Sequence, residues 1–160
     1  MDYIKENSSD RRYNSDCQLV TAVNASYYLY DIMINQDGPQ YKELAKLAGC
    51  VHGSCIDIKK AWKKLGICED QRFSNKFELK DNLFENCFIE ASIWHQRYGF
   101  HSVSIVDYIE KAECLQVLNF KYETTTRDWI FWEDFQHFLV DYPDKEGKKW
   151  VGRTYKKYEK

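Results

Sequence analysis

Chain-breakers and one-sided charge are both scarce in this 160-residue sequence. Only seven Gly and two Pro occur, with no low-complexity tract and no fixed-period repeat, which excludes an internal linker and a solenoid. A single domain over residues 1–160 is expected, with 1–14 as a polar, extended N-terminal segment. The formal net charge is -2 although 30% of residues are charged, and no acidic or basic block stands out. The one basic-leaning stretch, Lys145 to Lys160, also carries Glu146 and Glu159 and reads as a solvated end. Without a broad positive surface, nucleic acid is not an expected partner. No run of about 18 apolar residues is present to span a membrane, and no signal-like segment opens the chain. A cytoplasmic protein (host cytoplasm, if phage-encoded) with six free thiols is therefore expected. Cys50-x4-Cys55 with His52 between them raises structural zinc, which needs four ligands in two close pairs. The remaining candidates, Cys68, Cys87, His95 and Cys114, are scattered, so no metal or other cofactor is expected.

What the chain does have is core material, 44% hydrophobic and 16% aromatic. Ser15-Asp16-Cys17-Gln18 has the S-x-x-Q form of a capping box, with Ser15 at the N-cap and Gln18 at the third helical position. Val20, Val23, Tyr27, Tyr30 and Ile34 follow at helical spacing and predict a helix to about Asn35. A second helix fits Tyr41–Ala48, ended by Gly49. A third starts near Ser54, shows Ile58, Ala61, Trp62 and Leu65 on one face, and stops at Gly66. Beyond Gly66 the texture becomes strand-like. Residues 86–94, 100–109 and 113–120 read as strands, the last two as a hairpin about residues 110–112. Trp132–Val140 predicts one more helix and Trp150–Lys156 a closing edge strand. Helices followed by an antiparallel sheet make an α+β fold.

The chemistry suggested by this layout centres on Cys17. In the first turn of a helix its sulfur would meet unpaired N–H groups and the positive dipole end, both of which favour the thiolate, the attacking form. On the strand from Phe100, His101 shares a face with Val103 and Ile105. A hairpin folded about Glu110 pairs residues whose numbers sum to about 220, placing Asn119 opposite His101. A carboxamide there could hold one ring nitrogen and leave the other for the thiol. Asp107, six residues along the strand and so about 20 Å from His101, is too far to serve. Ser102 and Ser104 point to the other face, His95 and His137 have no evident partner, and Trp94, Trp129 and Trp132 fit core or groove wall.

These segments resemble the papain-like cysteine peptidases of the bacteriocin leader-processing (double-glycine) type. DCQLVTAVNASYYL is similar to the nucleophile helix of that family, and YKELAKLAGCVHGSCIDIKKAWKKLGI to its next two helices. GFHSVSIVDYIEKAECLQVLNF resembles its Gly-x-His strand and hairpin return, and WEDFQHFL the helix that follows. The blocks keep the family's order over roughly residues 14–140. The resemblance implies a papain-like fold, Cys17 as nucleophile, His101 as general base and acid, and Asn119 as orienting residue. Such peptidases usually carry Gln six residues before the cysteine, where this chain has Arg11, and many carry Gly where it has Gln18. Asn14 and Gln18 are thus the candidate oxyanion donors beside the Cys17 N–H.

The expected function is a cofactor-free cysteine peptidase acting on a peptide or protein substrate, in a stand-alone form without exporter spans. Abundant Asn, Lys, Ile and Tyr point to an AT-rich bacterial or phage genome. Two alternatives stay open: a papain-like module that binds a peptide or partner without turnover, and a related thiol amidase or transferase.

Overall fold

The structure, a computed structural model, describes residues 16–50, 55–84, 88–96, 99–121, 127–144 and 146–158. Three helices come first: α1 (Cys17–Tyr30), α2 (Pro39–Ala48) and α3 (Ile58–Leu65). Every residue of α1 from Cys17 to Ser26 is buried, and the side chain of its N-cap residue Asp16 does not cap its start. Burial therefore holds this helix, each enclosed Leu or Val being worth about 1.5–3 kcal/mol. It ends five residues earlier than its apolar spacing predicts. Asp31 turns left-handed at φ 59 and its N–H closes on Tyr27 O, while Ile34 reaches the core from an extended segment. The second helix starts two residues early because Pro39 supplies a preset first-turn φ; the third starts at Ile58, later than expected.

The sheet takes up most of the rest. Its strands are β1 (Ile67–Phe73), β2 (Ile89–His95), β3 (Gly99–Ile109), β4 (Cys114–Leu118), β5 (Arg127–Phe131) and, after a small ribbon of β6 (Tyr142–Pro143) and β7 (Lys149–Trp150), β8 (Gly152–Lys157). The order is β1-β8-β2-β3-β4-β5, antiparallel throughout. A short helix α4 (Lys76–Asn82), capped by Asn75, and a single turn α5 (Trp132–Phe135) continued by a 3-10 turn to Phe138 cover one face. The other face meets α1 and α3 through Ala22, Ala25, Trp62, Phe88, Val106, Leu118 and Tyr155. This is the expected α+β layout.

Two sequence expectations fail in the last thirty residues. The segment read as a closing edge strand is interior: β8 pairs with both β1 and β2. The middle of the supposed solvated end is core, with Trp150 fully buried and Val151 to Tyr155 buried after it. Its lysines disguised this, because Lys149, Lys156 and Lys157 bracket the buried stretch at its exposed ends. Trp129, read as core or groove wall, lies exposed on edge strand β5.

The six-thiol expectation also needs correction. Cys50 and Cys55 form a disulfide, their Cα atoms 4.2 Å apart. Left-handed Gly49, the Cys50 N–H on Ala45 O and the Asp57 N–H on Ala48 O fold the chain back and bring the two together. His52 lies outside the described residues, and no metal-ligating cluster occurs among those described.

Candidate functional site

Cys17 is the first residue of α1, with Asp16 as N-cap; the expected cap, Ser15, lies outside the described residues. Gln18 is thus the second helical residue, not the third. The buried Asp16 carboxylate does different work. It accepts hydrogen bonds from the Tyr41 hydroxyl and, at 3.3 Å, from Gln36 Nε2, fastening the start of the helix to α2 and the segment before it.

A cavity of about 250 Å³ lies beside Cys17, and Gln18, Trp94, His101, Ser102 and Tyr142 share its wall. Cys17 comes from the helix layer and His101 from β3, so the fold brings together two residues 84 positions apart. The main-chain N–H groups of Ser102 and Gln18 donate to the Cys17 sulfur. Ser102, read as facing away, thus reaches the site through its backbone. Gln18 joins its side chain to the Tyr142 hydroxyl. Of the two oxyanion candidates it stands at the cavity, while Asn14, like Arg11, lies outside the described residues.

Asn119 meets His101, but not as expected. The contact is from His101 Nε2 to the main-chain oxygen of Asn119, 2.6 Å. The register explains this. Paired residues sum to 222 near Ser104 and to 223 beyond the bulge between Ile105 and Asp107, so Asn119 falls just past the end of β4. There it takes φ 62, a left-handed conformation that Asn tolerates, and its carbonyl is presented to the ring. A carbonyl only accepts, so Nε2 carries the hydrogen and Nδ1 holds the lone pair.

Burial sets the protonation of both groups. It pushes the Cys17 thiol up to about 11; the Asp16 and Glu90 carboxylates push the same way, and the Ser102 and Gln18 N–H groups oppose without prevailing. It brings His101 down to about 4, against the pull of the Asn119 carbonyl. At neutral pH the pair is therefore thiol and neutral imidazole, where the helix start alone had suggested a thiolate. His95, read as partnerless, has its ring centroid 6.3 Å from that of His101 and adds to the lowering. Asp107 is exposed, its carboxylate accepting from the Tyr108 N–H.

No protein-family model matches the chain, and no curated protein does so either. Solved structures do. The peptidase domain of Streptococcus ComA, described as a bi-functional ABC transporter involved in a quorum-sensing pathway, matches over 95% of this chain and 98% of its own, with TM-score 0.63 and 17% identity. The fold is papain-like. The ComA peptidase domain of Streptococcus mutans is also matched, at TM-score 0.47 and 14% identity over 96% of this chain and 98% of its own. The resemblance to bacteriocin-processing peptidases drawn from the sequence thus holds at the level of the fold. No helix among the described residues of this papain-like chain is long and apolar enough to cross a membrane.

A second polar centre beneath the site escaped the sequence reading. Glu90 of β2 is fully buried and accepts from Arg153 Nε and from the Tyr155 hydroxyl, both on β8. The Arg153 guanidinium also reaches Glu69 at 3.3 Å and lies over the rings of Trp150 and Trp62, 4.2 and 4.7 Å from their centres. A glutamate inside the apolar run 86–94 was the available signal. Arg153, among other basic residues, offered none.

Proposed function

We propose that this chain is a cysteine peptidase, with Cys17 as nucleophile, His101 as general base and acid, and Asn119 orienting His101 through its carbonyl. The observation that carries the reading is one cavity holding a thiol at a helix start beside a histidine whose Nε2 is fixed from behind. In the reaction the Cys17 proton passes to His101 Nδ1 while sulfur bonds to the carbonyl carbon and the C=O electrons move to oxygen. The Cys17 N–H and the Gln18 side chain are the donors available to that oxygen. Collapse expels the amine, which takes the proton from His101. Water then cleaves the thioester and regenerates the thiol. The substrate is a peptide or protein, and neither metal nor cofactor enters the scheme. A single domain in a bacterial or phage cytoplasm belongs to the same proposal, although the Cys50–Cys55 bridge suits a reducing compartment poorly.

One observation favours a second reading, a peptide-holding module without turnover: a thiol titrating near 11 is a poor resting nucleophile. Mass spectrometry of a capped-peptide pool after incubation separates the two. Cleavage products with wild type, lost in Cys17→Ala and His101→Ala, support the peptidase. No cleavage, together with no adduct on Cys17 from a peptidyl chloromethyl ketone, overturns it in favour of the binding module.

A further inference from the structure

A second cavity, of about 200 Å³, adjoins the first and shares Gln18, Cys55 and Tyr142 with it. Trp62 of α3 and Arg153 of β8 are among the residues that line it. Both are almost wholly enclosed, at 5% and 4% exposure. Each keeps a buried donor with no hydrogen-bond partner among the described residues, Trp62 Nε1 and Arg153 Nη2. Leaving such a donor unmet costs about 1–3 kcal/mol, so two on one wall define a place for an acceptor. The space far exceeds a single water's share of about 30 Å³ and admits a side chain.

The charges around it decide which side chain. Every cation on the wall already faces carboxylate: Arg72 holds Asp144 at 2.6 Å and Glu69 at 2.9 Å, Lys59 faces Glu146 at 3.4 Å, and Arg153 is held by Glu90 and Glu69. An incoming anion would find these cations spoken for and Glu69, Glu90 and Asp144 close behind them. An incoming cation would meet the Arg153 guanidinium. A neutral acceptor suffers neither penalty. The half-buried Asp57 also lines the cavity, and its carboxylate caps nothing in α3 although it stands at the N-cap. The lining residues thus include two with an unmet donor and one with a carboxylate acceptor. A carboxamide carries both complements, its oxygen for Trp62 and Arg153 and its NH2 for Asp57.

We propose that this cavity is a specificity subsite for a carboxamide side chain, Gln or Asn, of a peptide lying across Cys17. The route from Cys17 rests on the peptidase reading; the chemistry of the cavity does not. The test uses a positional library of capped hexapeptides carrying Gln, Asn, Glu, Lys, Leu or Met at each position in turn. Cleavage is followed by mass spectrometry. At one position Gln or Asn should raise kcat/KM at least tenfold over Leu, Met, Glu and Lys, since a site built for a polar group rejects analogues lacking it. Trp62→Phe, which removes one donor and keeps a ring, and Asp57→Ala should each shrink that ratio to below threefold. Cleavage with all six residues within twofold, or a preference for Glu or Lys, overturns the subsite while the peptidase reading stands. Calorimetric binding of the same peptides to Cys17→Ala gives the independent readout. If wild type cleaves nothing yet Gln peptides bind this variant tenfold tighter than Leu peptides, the peptidase reading falls and the subsite survives.

Discussion

Two buried polar centres lie close together in this molecule and respond to burial in opposite ways. Cys17 and His101 are both driven to their neutral forms, the thiol to about 11 and the imidazole to about 4. Arg153 of β8 is buried as deeply, yet it is held as a cation because Glu90 and Glu69 face it and outweigh the desolvation. The difference is the counter-charge. Where each ion meets a partner on an adjacent strand, charge survives in the interior; where carboxylates face a thiol, the proton stays on. The first centre is thus a neutral thiol–imidazole pair, and the second a fixed ionic brace linking β2, β8 and β1.

The comparison breaks most sharply at Cys17 and His101. Cys17→Ala or His101→Ala should lower peptide cleavage by at least about 10³-fold with the folded state retained, read as kcat/KM beside a circular-dichroism melt. In the brace, Glu90→Leu should cost about 3–5 kcal/mol, because Arg153 would keep its charge in the core with Glu69 at 3.3 Å as its remaining carboxylate; urea unfolding measures this. An equal loss of stability in His101→Leu would show that the two centres do not differ.

The pH dependence sharpens the contrast. A histidine lowered from 6.5 to about 4 contributes stability that is full above pH 6.5 and lost as pH falls through 4, about 3 kcal/mol in all. Urea midpoints at pH 7 and pH 4.5 should therefore separate for wild type and converge for His101→Leu. A thiol raised from 9.0 to about 11 contributes stability present below pH 9 and lost as pH rises through 11, roughly 2–3 kcal/mol, which Cys17→Ala should abolish. The smallest effect is the most specific. Asn119→Gly keeps the carbonyl and suits φ 62, so cleavage should stay within about fivefold of wild type. A hundredfold loss would mean that the carboxamide, and not the main chain, orients His101.

The part of the fold that sequence reasoning reached is local. Periodicity placed α1, α2 and α3, Gly49 and Gly66 marked two helix ends, and the alternation of β3 and β4 gave the hairpin that carries His101 near Asn119. It erred where a decision is made by distant parts of the chain. A bulge between Ile105 and Asp107 shifted the register, and with it the group on Asn119 that touches the ring. The partners of β8 and the Glu90–Arg153 pair depend on contacts between segments far apart in sequence. Burial is likewise a property of the assembled layers, which is why the helix start suggested an ionised Cys17 and the folded chain holds a protonated one.

The interior position of β8 bears on how the molecule comes into being. The strand between β1 and β2 is made after the other five strands of its sheet, and among the described residues β1 pairs with the sheet through β8 and no other strand. Glu90 waits through synthesis without its cation, and Trp62 without the ring of Tyr155 against it. The nascent chain therefore carries an open seam between β1 and β2, exposed to pairing with other chains until β8 emerges.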